Sequence, residues 1–262
     1  MNNVKEKFEA MGARVKVSDG DRTVFNVLND RKGEYFEIRV NPTDEITVVD
    51  LDRRDRHALV QVRTPGTPNR FGVVQGKEVS RFLCGHDERH WFVAGVTRPV
   101  VKIEAAKDSL KPAGVAEAER RAGVRHHKRN KRHNSGSLRQ GEWFMVPTPD
   151  IIIDSSMILR NEPLRRGRGK VHNMEYACRE GGTSVMVCSH YPNGLTRPQY
   201  EKLVKDNADA QKWMWRPMQR DAAVYAKGRI THADHATLDL GNVWHRVYMN
   251  TEAMSSRVAF LD

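Results

Sequence analysis

Between residues 13 and 64 the sequence is a series of short segments rich in β-branched and aromatic residues, each ended by Gly, Pro, Asn or Asp. Short segments separated by turn-forming residues at a spacing of about 10 to 12 are typical of strands joined by hairpins. Links this short cannot carry the long crossover that neighbouring parallel strands need. The pattern therefore predicts an antiparallel meander over residues 13–17, 22–29, 34–40, 45–51 and 57–64.

Helix signals are few and short by comparison. They predict helices over residues 3–11, ending at Gly12, over 103–122 with an interruption at Pro112, and over 197–207, where Thr196 and Gln199 form a capping box. Further strands are expected at 90–96, 151–154, 172–178, 184–190, 222–231, 236–240 and 243–249. We therefore predict an α+β fold of mainly antiparallel sheets with a few short helices. It should consist of two subdomains, 1–122 and 142–262, joined by a basic flexible segment at 123–141.

Composition excludes several classes of protein. The 262 residues include 39% hydrophobic and 29% charged residues, which is typical of a globular chain. No window holds 18 consecutive apolar residues, and the first residues, MNNVKEKFEAMG, lack the apolar stretch of a secretory signal. Three cysteines, Cys84, Cys178 and Cys188, are too few and odd in number for a disulfide framework. We expect free thiols, a cytoplasmic location and no membrane partner.

The positive charge is concentrated in the middle of the chain. Of the net charge of +11, +8 lies in residues 111–170, which hold 14 Lys and Arg against six Asp and Glu. Residues 120–139 contain three His and no acidic residue, and such a block attracts polyanions by releasing phosphate counterions. The segment predicts contact with DNA or RNA through Arg120, Arg121, Arg125, Lys128, Arg129, Lys131, Arg132 and Arg139.

A second basic stretch follows at residues 164–171. Its glycines allow close approach of the backbone to a ligand, and its arginines offer paired donors to phosphate. We expect Arg165, Arg166, Arg168 and Lys170 to add to nucleic-acid binding. A solvated surface turn would have the same composition.

Two clusters of titratable residues lie on predicted turns between strands. The first is His86, Asp87, Glu88 and His90; the second is His232, Asp234 and His235, with His245 nearby. Histidine and carboxylate side chains serve as acids, bases or ligands of a divalent metal that activates water. Charged turns of this kind are also common without any chemistry. The clusters therefore make catalysis a hypothesis, with no cofactor required beyond a possible divalent metal.

Two smaller groups complete the candidates. Cys178, Cys188 and His190 could bind zinc only with a fourth ligand, for which His172 is the nearest residue in the sequence, but the spacing favours two buried free thiols. Trp213 and Trp215 lie between Lys212 and Arg216, an arrangement that suits either base stacking or core packing.

Three functions are compatible with these patterns. The leading hypothesis is a nucleic-acid-binding protein of bacterial or phage type. The alternatives are a nucleic-acid-processing hydrolase that uses the histidine clusters, and a ribosome- or virion-associated structural protein. The chain lacks the phosphate-binding, dinucleotide-binding and metalloprotease motifs GxxxxGK[ST], GxGxxG and HExxH. The sequence leaves open whether the protein is an enzyme, its oligomeric state, and the choice between DNA and RNA.

Overall fold

A computed structural model describes residues 2–68, 74–76, 78–165 and 170–252. Mostly antiparallel strands make up 44% of it, and four short helices together with three 3₁₀ turns make up 19%, which confirms the α+β class. None of the described helices is both long and apolar enough to cross a membrane. The described residues form two compact units: unit 1 holds residues up to 117 with 125–131 and 250–252, and unit 2 holds 118–124 and 132–249.

The described part of unit 1 contains three sheets, two complete helices and the first part of a third helix. The helices are α1 (Asn2–Ala10), α2 (Ile103–Ser109) and α3 (Ala113–Arg121), the last of which continues into unit 2. The strands are β1 (Val15–Asp19), β2 (Val24–Asp30), β3 (Gly33–Val40), β4 (Glu45–Asp52), β5 (His57–Thr64), β6 (Thr67–Pro68), β7 (Val74–Gln75), β8 (Glu78–Asp87) and β9 (His90–Val96).

The five predicted strands are present, but they do not form one antiparallel meander. They divide between two sheets, in which only β2–β3 and β4–β5 pair as consecutive antiparallel strands. Strands β4, β5, β8 and β9 form an antiparallel sheet in that order, whereas the first sheet has the order β1-β3-β2 and β1 runs parallel to β3. Phe36, Ile38 and Val40 are all buried, which makes β3 the most buried strand of the three. Burial of this strand between two neighbours explains why β1 pairs with β3 rather than with the adjacent β2.

Unit 2 is built on one seven-stranded sheet. Its path is β10-β11-β19-β17-β13-β12, and β18 pairs with β17. A smaller sheet, β15-β14-β16, lies in the same unit, and α4 lies between β15 and β16 along the chain. The elements are β10 (Leu138–Gln140), β11 (Trp143–Pro147), β12 (Leu159–Leu164), β13 (His172–Glu180), β14 (Thr183–Val187), β15 (Leu195–Thr196), α4 (Arg197–Asp206), β16 (Arg216–Arg220), β17 (Ala223–Thr231), β18 (Leu238–Asp239) and β19 (His245–Met249).

The core of unit 2 lies on one face of the large sheet. Trp143, Met145, Leu164, Met174 and Ile230 are among its fully buried members. Trp143 begins β11, Leu164 ends β12 and Ile230 lies near the end of β17. This core therefore reaches the end of the sheet at which β12 finishes and β13 starts. Packing therefore holds in place the residues at that end.

The strand predicted at 151–154 is wrong. Residues 151–154 form no regular element, and a 3₁₀ turn follows at Ser155–Met157. Ile152 is 96% exposed, so the apolar run does not cover a core. The Asp154 carboxylate accepts a hydrogen bond from the Ser156 amide, which favours the turn over an extended strand.

Candidate metal centre and basic segment

The register of the large sheet brings two distant histidines together. Asn173 near the start of β13 pairs with Thr231 at the end of β17. His172, which precedes Asn173, and His232, which follows Thr231, therefore lie at the same end of the sheet. Their rings stack with centroids 4.1 Å apart and planes at 22°. Sixty residues of sequence separate the two positions, so the contact depends entirely on strand pairing.

A turn after β17 adds a third histidine. The ring of His235 lies 4.6 Å from that of His232 and 5.6 Å from that of His172, measured between centroids. The backbone amide of Asp234 donates to Nδ1 of His232 over 3.1 Å, and Gln140 Nε2 donates to the carbonyl oxygen of Ala236 over 2.6 Å. These bonds fold the turn back onto that end of the sheet.

One ligand atom from each of these three histidines lies within 4.8 Å of the other two. We call His172, His232 and His235 the three-histidine cluster. Zn–N bonds of about 2.0–2.1 Å in a tetrahedron set N···N separations of roughly 3.4 Å, so the rings need only a small inward movement to share an ion. No other group of three His, Cys, Asp or Glu residues meets this criterion within the described ranges.

The centre of the cluster is buried and short of hydrogen bonds. His172 is 2% exposed, and neither of its ring nitrogens has a hydrogen-bond partner. Nine buried side-chain N and O atoms lack a partner in the described part of the chain, and four of them belong to Gln140, Trp143 and His172. Unsatisfied buried polar atoms are rare in folded proteins and call for an ion or a water molecule.

Gly141 leaves space beside the ring nitrogens. A Cβ at this position would lie 3.0 Å from Nε2 of His235 and 3.6 Å from Nε2 of His172. The residue has a φ of +58°, a conformation that glycine adopts without strain. A side chain here would therefore occupy the space that the nitrogens face.

Electrostatics keep the buried ring neutral. Burial, and then the neighbouring His232 and His235, lower the pKa of His172 to about 3, against a smaller opposing effect of Asp234. The Asp234 carboxylate in turn accepts two bonds of 2.7 Å from Lys170 Nζ. A neutral imidazole retains the lone pair that binds a metal ion.

The cluster contains two of the predicted residues and one from another predicted group. His232 and His235 were expected together, and Asp234 lies between them, but His245 pairs with Ala226 in the middle of β17 and holds the Val243 carbonyl oxygen with Nδ1 over 2.9 Å. His172 takes the third place instead of joining Cys178, Cys188 and His190. All three cysteines are free and buried, as expected.

The first predicted cluster belongs to unit 1 and forms a hairpin turn. Asp87 and His90 pair across the β8–β9 hairpin, and Glu88 takes a φ of +51°. Nδ1 of His90 lies 2.6 Å from Oε1 of Glu34, and Oε2 of the same carboxylate accepts a hydrogen bond from the Trp91 amide over 2.8 Å. His86 packs edge-on against the ring of Trp91. These contacts give each histidine a structural partner, and the cluster is in a different unit from His232, Asp234 and His235.

The basic residues 120–139 contain regular structure, whereas the sequence predicted a flexible segment over 123–141. They include the end of α3, a 3₁₀ turn at His126–Lys128 and most of β10. Lys111 Nζ donates to the Arg129 carbonyl oxygen over 2.7 Å within unit 1. In unit 2 the buried Glu119 accepts from Asn134 Nδ2 over 2.9 Å and from the Ser137 hydroxyl over 3.2 Å.

The basic side chains of this segment divide between the two units. Arg125, Lys128 and Lys131 are exposed in unit 1, where Arg129 is half-buried. Arg120 and Arg121 are exposed in unit 2, where Arg132 and Arg139 are half-buried. Of the second basic stretch, Arg165 and Lys170 are exposed, whereas Arg166 and Arg168 lie outside the described residues.

The two tryptophans belong to a stack of aromatic rings. The ring of Trp213 lies 4.1 Å from His190 and 6.1 Å from Trp215, and Tyr191 stacks on both tryptophans. Trp215 Nε1 also donates to the Ala210 carbonyl oxygen over 2.8 Å. Since these rings are packed on one another, the arrangement favours packing over base stacking.

No protein-family model matches this chain, and no curated protein or solved structure is significantly similar to it.

Proposed function

We propose that this protein binds nucleic acid through the phosphate backbone, using the basic residues of 120–139. The observation that carries the proposal is the concentration of charge: +8 of the net +11 lies in residues 111–170, and no acidic residue falls within 120–139. Arg120, Arg121, Arg125, Lys128 and Lys131 are all exposed, so their charged groups are accessible to a polyanion. Phosphate binding by such residues is electrostatic and has little sequence preference.

The stretch 125–131 offers the clearest group within one unit. Lys128 is exposed in its 3₁₀ turn, and Arg125 and Lys131 are exposed on either side, while the Lys111 bond to the Arg129 carbonyl oxygen holds the turn in place. An anchored turn loses less conformational entropy on binding than a free chain does. Anchoring therefore favours a role as a binding surface over a role as a linker.

A salt titration tests the proposal. Binding of a labelled duplex should weaken with a log–log slope near −0.9 for each phosphate contacted, and slightly less for a single strand. Changing Arg125, Lys128 and Lys131 to Ser should flatten the slope by about 2 to 3 units, because each exposed cation contacts about one phosphate. Circular dichroism checks that the variant is folded.

The matched control removes the same charge elsewhere in unit 1. Lys32, Arg53 and Arg54 are also exposed, and changing all three to Ser lowers the net charge equally. This control should shift the slope by less than about 1 unit, since only the general field changes. Equal effects of the two triple variants, or no binding by the parent protein at low salt, would contradict the proposal.

The three-histidine cluster favours a second function, hydrolysis of a phosphate ester. Three protein nitrogens around one point leave room for a water molecule in the position that catalytic metal sites keep open. Hydrolysis of single- and double-stranded DNA and RNA in the presence of Zn²⁺ or Mn²⁺ tests this function. Activity should disappear in His235→Gln and persist in His86→Ala. Equal activity of the parent and His235→Gln would remove the cluster from catalysis.

A further inference from the structure

We propose that His172, His232 and His235 form a binding site for one divalent transition-metal ion of the Zn²⁺ type. The inference does not depend on nucleic-acid binding, since it rests on contacts inside unit 2. The first support is convergence: one ligand atom from each ring lies within 4.8 Å of the others, although the residues come from two strands and a turn.

The second support is that His172 has no hydrogen-bond partner. The residue is only 2% exposed, and neither of its ring nitrogens makes a hydrogen bond. A core histidine with only a structural role normally uses at least one nitrogen as donor or acceptor. An ion bound to one of these nitrogens would supply the missing interaction.

The third support is the space in front of the nitrogens. Gly141 is the residue whose missing side chain leaves Nε2 of His172 and His235 uncovered. Trp143, two residues later, packs edge-on against His172 with ring centroids 6.3 Å apart and closes the apolar side of the cluster. The glycine thus keeps a side-chain carbon away from both nitrogens.

The donor set determines the class of ion. Imidazole nitrogens suit Zn²⁺, Cu²⁺, Ni²⁺ and Fe²⁺, whereas Mg²⁺ and Ca²⁺ require oxygen ligands. Asp234 is the adjacent carboxylate, and Lys170 holds both of its oxygens at 2.7 Å. Such an ion pair beside a ligand positions the histidine turn rather than adding an oxygen to the first set of ligands.

His232 is the ligand that changes most on metal binding. Its Nδ1 accepts the Asp234 amide over 3.1 Å, so the proton of the neutral ring lies on Nε2. Binding an ion exchanges this hydrogen bond for a metal–nitrogen bond, through a ring flip or a shift of the turn. His172 has no hydrogen bond to exchange, and its Nε2 lies toward Gly141, as does Nε2 of His235.

The experiment uses the full chain, produced with a tag that lacks histidine and treated with chelator. Titration with Co²⁺ should give visible absorption bands of low-symmetry coordination that saturate at one ion per chain, and Zn²⁺ should displace the Co²⁺. His235→Gln should weaken Zn²⁺ binding at least about 100-fold, because it removes a ligand and not only a supporting contact. His190→Gln, which changes a histidine of the same unit outside the cluster, should bind as the parent does.

Two glycine variants separate loss of space from backbone strain. Gly141→Ala should weaken Zn²⁺ binding at least about 10-fold, since its Cβ enters the site. Gly241→Ala has the same strain at a φ of +63°, but its Cβ meets nothing within 4 Å, so binding should stay within about two-fold of the parent.

Four results would overturn the proposal: saturation below one ion per chain, a Zn²⁺ Kd weaker than about 1 mM, equal affinity in His235→Gln and His190→Gln, or equal affinity in the two glycine variants. Circular dichroism and thermal melting are measured on each variant. If Gly141→Ala does not fold, the histidine pair alone decides the result, because His235 is only half-buried at the end of the sheet.

Discussion

Histidine residues show how strongly the surroundings of a side chain determine its role. His90 is held by the Glu34 carboxylate, His57 packs edge-on against Phe92, and His172 is buried against two other imidazoles. All three have the same intrinsic chemistry, but only the last lies in a group that can share an ion. Local sequence around each does not distinguish the three roles.

His57 should make unit 1 sensitive to mild acid. Burial, and then the charge of Lys107, lower the pKa of His57 to about 4, against about 6.5 in an unfolded chain. Below pH 6.5 the unfolded state binds a proton that the folded state does not, so stability is lost as the pH falls from 6.5 toward 4. Urea unfolding should show a loss of about 2 kcal/mol between pH 7 and pH 5 from this group.

The variant His57→Gln isolates that contribution. Its unfolding free energy should be lower than that of the parent at pH 7 but should fall less on going to pH 5. Other buried histidines titrate equally in both proteins and cancel in the comparison. Parallel pH profiles for the two proteins would show that His57 is not the group responsible.

At the scale of elements, the buried carboxylate of Glu119 holds the part of the basic segment that belongs to unit 2. Glu119 in α3 is 2% exposed and accepts bonds from Asn134 and Ser137. Gly136 lies against the same turn of helix, where an added Cβ would be 2.6 Å from the Glu119 Cα. The chain can approach α3 this closely only because it lacks a side chain there.

Removing this carboxylate should release the chain on either side of Gly136. Glu119→Ala should cost about 2–4 kcal/mol of unfolding free energy, because buried donors lose a charged acceptor. Limited trypsin digestion should then cut at Arg132 and Arg139 much faster than in the parent. Glu142→Ala, at a half-buried position two residues after β10, is the comparison, and equal cleavage of the two variants would contradict the anchoring role.

At the scale of the whole molecule, the chain has two compact units with their own cores. Phe8, Phe36 and Ile38 belong to the core of unit 1, and Trp143, Met174 and Ile230 to that of unit 2. Separate cores allow the units to differ in stability. The limits of the units lie inside α3 and within residues 123–141.

A core substitution should therefore act mainly on its own unit. Phe36→Ala removes a fully buried ring and should cost about 3–5 kcal/mol in unit 1. Hydrogen exchange should become faster in β3 and β5, while β13 and β17 keep the protection of the parent. Equal acceleration in all four strands would show that the chain unfolds as one cooperative body.

Much of the fold could be predicted because its signals are local. The end of α1 just before Gly12, the break at Pro112 and the capping box at Thr196 depend on residues within one turn of each other. The short strands and their turns follow from residue type and spacing in the same way. The concentration of positive charge is a property of composition alone, so the sequence determined it as well.

The candidate metal site could be only partly predicted. His232 and His235 are neighbours in the sequence, and their shared turn was expected to bring them together. The third member, His172, comes from the start of β13 because Asn173 pairs with Thr231. The sequence alone determined the local elements and the charge, whereas tertiary structure decided which distant strands pair. The physical reason is that strand pairing depends on the burial of whole apolar faces such as those of Met174 and Ile230, which no local pattern specifies.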